Sequence, residues 1–134
     1  MLFASYDKKG IAFSFNAPKQ VPLIKGDRTK LMQVILNLLK NSIEAIDLDA
    51  PKKNISIELM RKDEILELTI IDSGKGIDTA TAAHIFERGF TTKNTGTGLG
   101  LYNCKSIIES HAGSIDVTSK GPGLGTTTLI RFSY

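Results

Sequence analysis

The 134-residue sequence predicts an α/β chain, a two-layer sandwich in which helices cover one face of a mixed, largely antiparallel sheet. Three observations predict it. Two segments repeat apolar residues at three- and four-residue spacing, which is the helical period. Two pairs of β-branched runs are each joined by a short polar or glycine-rich connection, the pattern of hairpins. Strand and helix segments interleave without an internal repeat or a linker, so residues 1–134 read as a single domain.

The elements follow in order. Ile11, Phe13 and Phe15 alternate with Ala12 and Ser14, giving a half-buried strand. Pro18 and Pro22 break that pattern, and Asp27 after Lys25-Gly26 is placed to cap a helix. From Arg28 to about Ile46, Leu31, Val34, Ile35, Leu38, Leu39, Ile43 and Ile46 form one apolar stripe. Asn54 to Met60 and Glu64 to Ile71 read as two strands turning at Arg61-Lys62-Asp63. Asp78 can cap a short helix from Thr79 to Arg88, with Gly89 as its stop. A helix from Leu101 to about Ala112 is expected to end at Gly113. Strands at about Ser114–Thr118 and Thr126–Phe132 flank a glycine-rich connection.

Composition narrows the function classes. Apolar residues at 41% and charged residues at 23% support a soluble core and exclude whole-chain disorder. The single cysteine, Cys104, excludes an internal disulfide framework and a cysteine-based zinc site, and with His84 and His111 far apart in sequence no metal centre of Cys and His ligands is expected. A net charge of +3 comes from scattered residues, so no nucleic-acid module is expected. No run approaches the roughly 20 apolar residues that span a bilayer, and Met1-Leu2-Phe3-Ala4 is too short for a signal-peptide core. The expected location is cytoplasmic. Glycine is the informative count: ten of twelve fall between Gly74 and Gly125, where backbone must turn tightly or approach a ligand.

Three motifs carry chemistry. Asn37 and Asn41 lie one turn apart on one helix face, distinct from the apolar stripe and extended by Gln33 and Glu44. Their amide oxygens suit Mg²⁺ or phosphate, or the face is simply solvated. Asp72-Ser73-Gly74-Lys75-Gly76-Ile77 puts an acceptor-only carboxylate at a strand end, able to read an exocyclic amino group, with glycines that admit a flat base. An ordinary Asp-Ser-Gly turn has the same sequence. Gly96-Thr97-Gly98-Leu99-Gly100 enters a helix, and unhindered N–H groups at a helix start bind anions. Upstream, Phe86, Phe90, Thr91, Thr92 and Lys93 suit a lid, the phenylalanines packing it down unless they are plain core.

In this order the motifs resemble the ATP-binding catalytic domain of two-component sensor histidine kinases, of the Bergerat (GHKL) fold. Asn37–Asn41 match the N box, Asp72–Gly76 the G1 box, Phe86–Phe90 the F box and Gly96–Gly100 the G2 box. The match runs from about Gly26 to Phe132. The resemblance implies three helices on one sheet face. It implies Mg²⁺ held by Asn41 and the ATP phosphates, with Asn37 assisting and Lys93 near the terminal phosphate. Asp72 would bond the adenine amino group, and Thr126 would place a hydroxyl beside the base. The nucleotide contacts it implies are Asn41, Asp72, Gly74, Gly76, Ile77, Phe90, Thr92, Gly96, Thr97, Gly98, Leu99, Gly100 and Thr126.

Two departures accompany the match. Glu44 stands where many relatives carry a lysine that meets phosphate, so Glu44 is left outside the expected site. Nothing before Gly26 resembles the dimerisation helix with its acceptor histidine, so the chain reads as a catalytic module excised from the C-terminal end of a longer kinase. The implied partners are that helix and, through the parent, a response regulator, with no direct membrane insertion. Gyrase-type relatives place a glutamate general base where this chain has Asn37. Its absence favours phosphoryl transfer over hydrolysis. A serine kinase of the anti-sigma-factor type and a nucleotide-gated docking module are the alternatives.

Overall fold

The computed structural model describes residues 10–20, 22–89 and 100–134. Its elements run β1 (Ala12–Asn16), α1 (Arg28–Glu44), β2 (Asn54–Lys62), β3 (Ile65–Asp72), α2 (Thr79–His84), α3 (Gly100–Ser110), β4 (Gly113–Thr118) and β5 (Thr126–Ser133). The five strands form one sheet in the order β1-β2-β3-β5-β4. Only the β1–β2 pair is parallel, so the sheet is mixed and largely antiparallel, as the pattern predicts.

Alternation decides which face is covered. In β3, Leu66, Leu68, Ile70 and Asp72 point inward, and their register partners Ile57, Leu59, Thr128, Ile130 and Phe132 share that face. Against it lie Val34, Leu38, Leu39 and Ile43 of α1 with Cys104 and Ile108 of α3, in one continuous core. The opposite face is mostly polar and carries an Arg131–Glu67 ion pair at 3.0 Å. Phe15 is 65% exposed although it shares the inward parity, because β1 is an edge strand. Among the described residues, no helix is long and apolar enough to cross a membrane.

Asp27 caps α1 as expected, its Oδ1 accepting the Lys30 N–H at 3.1 Å. Four boundaries differ from the expectation. The β2–β3 turn is Asp63-Glu64, starting one residue after the centre of Arg61-Lys62-Asp63, because Arg61 and Lys62 pair with Leu66 and Ile65. Asp63 takes the left-handed conformation at φ 55°, which aspartate tolerates. Residues past His84 turn rather than continue α2, and α3 starts at Gly100.

The fourth difference lies at the end of α3. Ala112, not Gly113, takes the left-handed position at φ 58°. Gly113 is already in β4, and a Cβ there would stand 2.7 Å from the Arg131 carbonyl oxygen, 2.9 Å from Phe132 Cδ1 and 3.0 Å from Ile108 Cγ2. The glycine serves close packing of α3 on β5.

His111 joins the far ends of the two long helices. Its Nε2 accepts the Asp27 backbone N–H at 2.9 Å, so the ring proton sits on Nδ1 and is donated to the Ile107 carbonyl at 2.7 Å. Gly26 is tight against this ring, since a Cβ there would overlap His111 Cδ2.

Neighbouring substitutions should therefore act in opposite directions. Ala112→Gly relieves the left-handed strain and should raise stability by about 0.5–1 kcal/mol. Gly113→Ala overpacks the α3–β5 contact and should lower it by about 1–3 kcal/mol. Urea denaturation midpoints at constant m-value measure both.

Candidate functional site

The inward parity of β3 carries through to its last residue, so Asp72 is delivered to the core face and is 7% exposed. Burial pushes its carboxyl above the ordinary carboxylate range. Hydrogen bonds from the Gly74 N–H, the Ser42 hydroxyl and the Thr126 N–H pull in the other direction and favour the ionised form. The Gly74 bond is 2.9 Å. Thr126 is the register partner of Asp72 at the start of β5, so the residue expected beside the base does lie beside the carboxylate.

Ser42 belongs to none of the three sequence motifs. It falls four residues after Leu38 and three after Leu39, on the buried stripe of α1. A hydroxyl at a core position requires a hydrogen-bond partner, and that is the signal that could have found it.

The segment after Asp72 is held on three sides. Ser73 Oγ accepts the Asn54 N–H at 2.8 Å and donates to the Lys52 carbonyl at 3.0 Å. The Lys75 N–H donates to the Ala45 carbonyl at the end of α1, at 2.9 Å. On the third side, the Gly125 N–H reaches the Gly74 carbonyl at 3.1 Å and the Gly123 N–H reaches the Lys75 carbonyl at 2.5 Å. The two glycines of the motif thus have a cause that needs no ligand. A Cβ on Gly74 would stand 2.7 Å from the Ala45 carbonyl oxygen, and one on Gly76, which sits at φ 69°, would overlap the Gly121 carbonyl oxygen.

A second group forms where α1 meets α3. A cleft of about 260 Å³ is lined by Gln33, Val34, Asn37, Gly100, Asn103, Cys104 and Ile107. Asn37 Nδ2 donates to Cys104 Sγ at 3.4 Å, and a Cβ on Gly100 would stand 2.9 Å from that same Nδ2. The structure thus brings the first asparagine of α1 to the start of α3. Burial raises the Cys104 thiol, which suits a packing role. Gln33 shares the cleft with Asn37 as expected, whereas Glu44 is exposed and does not line it.

Asn41 is half-buried one turn beyond Asn37 and next in sequence to Ser42, so α1 spans both groups. Ile77 is held by Ser119, whose Oγ accepts its N–H at 3.2 Å. Phe86 packs against the core and carries Lys105 Nζ 5.6 Å above its ring. The expected contacts Phe90, Thr92, Lys93, Gly96, Thr97, Gly98 and Leu99, with Thr91, lie outside the described residues.

Residues 26–134 match the family described as histidine kinase-, DNA gyrase B-, and HSP90-like ATPase. The sensor histidine kinase ZraS of Escherichia coli strain K12 is 38% identical over 121 residues, covering 90% of this chain and 25% of that protein. The C4-dicarboxylate transport sensor protein DctS of Rhodobacter capsulatus is 35% identical over 112 residues, covering 82% of this chain and 16% of its own length. The chain thus spans a quarter or less of these relatives. The catalytic domain of histidine kinase ThkA superposes with a TM-score of 0.83 at 29% identity, covering 98% of this chain and 84% of that one. The mycobacterial sensor histidine kinase MprB gives 0.81 at 26% identity, with 98% and 89% covered.

The buried carboxylate sets a pH dependence. Because the folded pKa of Asp72 is raised, its contribution to stability is present below the unfolded pKa and lost as pH rises through the folded value. The wild type should therefore lose stability relative to Asp72→Asn as pH rises across that interval, measured by urea denaturation at a series of pH values. Ser42→Ala removes one donor from the buried charge and should cost about 1–3 kcal/mol at neutral pH in the same assay.

Proposed function

Because this chain belongs to the histidine kinase-, DNA gyrase B- and HSP90-like ATPase family, as a catalytic domain of the sensor histidine kinase kind, we propose that it binds Mg·ATP and presents the γ-phosphoryl group to a histidine of a dimerisation helix. That helix, in this reading, belongs to a longer parent sensor kinase that passes the phosphoryl group to a response regulator. Residues 1–134 are its cytoplasmic catalytic domain.

One observation carries the nucleotide assignment. Asp72 is buried at a strand end with three donors around it, while a carboxylate offers about four acceptor directions. The remaining capacity suits an exocyclic amino group such as that of adenine. The backbone of Gly74, Gly76 and Ile77 forms one wall beside it, and Thr126 stands on the adjacent strand.

The other end fits phosphate. Among the described residues no cluster of three or more His, Cys, Asp or Glu side chains could hold a metal ion. A cation here would take one ligand from Asn41 and the rest from phosphate and water, a set that suits Mg²⁺. Bound Mg·ATP supplies the transferable group and neutralises phosphate charge. The chain's own contribution is positioning: Asn37 and Asn41 stand in line on a rigid helix, and the start of α3 lies against Asn37. No carboxylate occupies the Asn37 position to activate water. Phe90, Thr92, Lys93, Gly96, Thr97, Gly98 and Leu99, outside the described residues, are the further nucleotide contacts expected in this reading.

Titration calorimetry tests the base assignment. Asp72→Asn turns an acceptor oxygen into a donor facing another donor, so ATP affinity should fall by about 1–3 kcal/mol; unchanged affinity would sink it. Asn41→Ala should abolish the Mg²⁺ dependence of binding, and a retained dependence moves the metal to other ligands. For the transfer step, labelled ATP and the protein are incubated with a histidine-bearing dimerisation helix and, separately, with a serine-bearing protein. Label on the helix is the expected result.

A further inference from the structure

Ser119 follows the last residue of β4 and was not part of any motif in the sequence. A serine hydroxyl has one proton to donate and two lone pairs to accept with. All three are used here. Oγ donates to the Gly125 carbonyl at 2.6 Å, accepts the Ile77 N–H at 3.2 Å and accepts the Gly121 N–H at 3.2 Å. One side chain thereby closes the 121–125 loop on itself and ties it to the turn that follows Asp72.

The surroundings leave little freedom for that turn to sit elsewhere. The Cβ position of Gly76 stands 2.9 Å from Ser119 Oγ, and that of Gly125 would overlap the Asp72 carbonyl oxygen. The loop is then drawn to the turn by the Gly123–Lys75 and Gly125–Gly74 backbone bonds. Thr126, next after Gly125, is where β5 pairs with Asp72. Remove the Ser119 hydroxyl, and the Ile77 N–H, the Gly121 N–H and the Gly125 carbonyl all lose a partner together.

We propose that Ser119 is a positioning residue for the base end of the nucleotide site: it sets the distance between the Gly74–Ile77 wall and the Asp72–Thr126 strand ends, and so the fit of the adenine ring. The inference rests on the ATP reading given above. Among the described residues, the hydrogen bonds of Ser119 go to Ile77, Gly121 and Gly125, so its effect falls on the base and leaves the metal end alone.

The test uses the full chain with Ser119→Ala, Ser119→Cys and Ser119→Thr, and adenosine alone and Mg·ATP as ligands. Ser119→Ala should weaken adenosine and Mg·ATP by the same factor, about tenfold, the size of a lost hydrogen bond in a half-buried place. Ser119→Thr keeps the hydroxyl and should restore binding, with Ser119→Cys between the two. The Mg²⁺ dependence should not change in any of them. Amide exchange at Ile77 and Gly121 should accelerate in Ser119→Ala without ligand. Wild-type affinity for adenosine in Ser119→Ala overturns the proposal, as does a loss restricted to Mg·ATP. If Ser119→Ala does not fold, equal affinities in Ser119→Cys and wild type overturn it. A wild-type chain that binds neither ligand defeats the ATP reading and the base-fitting role with it, while unchanged exchange at Ile77 and Gly121 defeats the anchor alone.

Discussion

A carboxylate buried at the end of a strand has to be surrounded by donors, and at Asp72 those donors come from three different parts of the chain. An uncompensated charge in the core would cost several kcal/mol, on the scale of the whole stability of a domain this size. Each donor imposes a constraint. The Ser42 hydroxyl requires α1 to cross the sheet at the height of β3's last residue. The Gly74 N–H requires the chain to fold back at once, which brings it against Ala45 and leaves no room for a side chain. The Thr126 N–H requires β5 to start in register with Asp72, and the residue just before it must be a glycine for the same steric reason. One charge thus specifies three junctions.

The result is a site of two halves with different character. In the proposed reading, the base end is backbone held by backbone bonds and by the hydroxyls of Ser42, Ser73 and Ser119, so little ordering remains for binding to supply. The proposed phosphate end rests on side chains, Asn37 and Asn41, on a helix whose buried stripe includes Val34, Leu38 and Ile43. The polar line and the apolar stripe share α1, so packing of the core orients the asparagines.

Much of this was visible in the sequence. The helical stripe, the alternation of β3 and the Asp27 cap are local patterns, and local patterns survive folding. The asparagine pair and the strand-end aspartate stand out because their chemistry is unusual for their places, while Gly96–Leu99 of the glycine-rich box lie outside the described residues. What escaped notice depends on partners distant in sequence. Ser42 and Ser119 look like any serine until Asp72 and Ile77 are brought to them. His111 looks like a residue at a helix end until Asp27 arrives from 84 positions away. Gly113 was read as a helix stop because glycine so often is one, whereas its cause is the approach of Phe132 and Arg131. The β2–β3 turn comes later than polarity suggests because Arg61 and Lys62, polar enough for a loop, still pair with Leu66 and Ile65.

The His111 bridge fixes one end of α3, so any tilt of that helix is measured from there. The helix is pinned to α1 at its C-terminal end, and its other end, Gly100, lies against Asn37. Over eleven residues at 1.5 Å each, the arm is about 16 Å long. A tilt of about 5° at the fulcrum moves the free end by roughly 1.4 Å on that arm, enough to make or break a hydrogen bond, while the pinned end stays within its own bonds. Between those ends, Cys104 and Ile108 of α3 are packed in the core against α1.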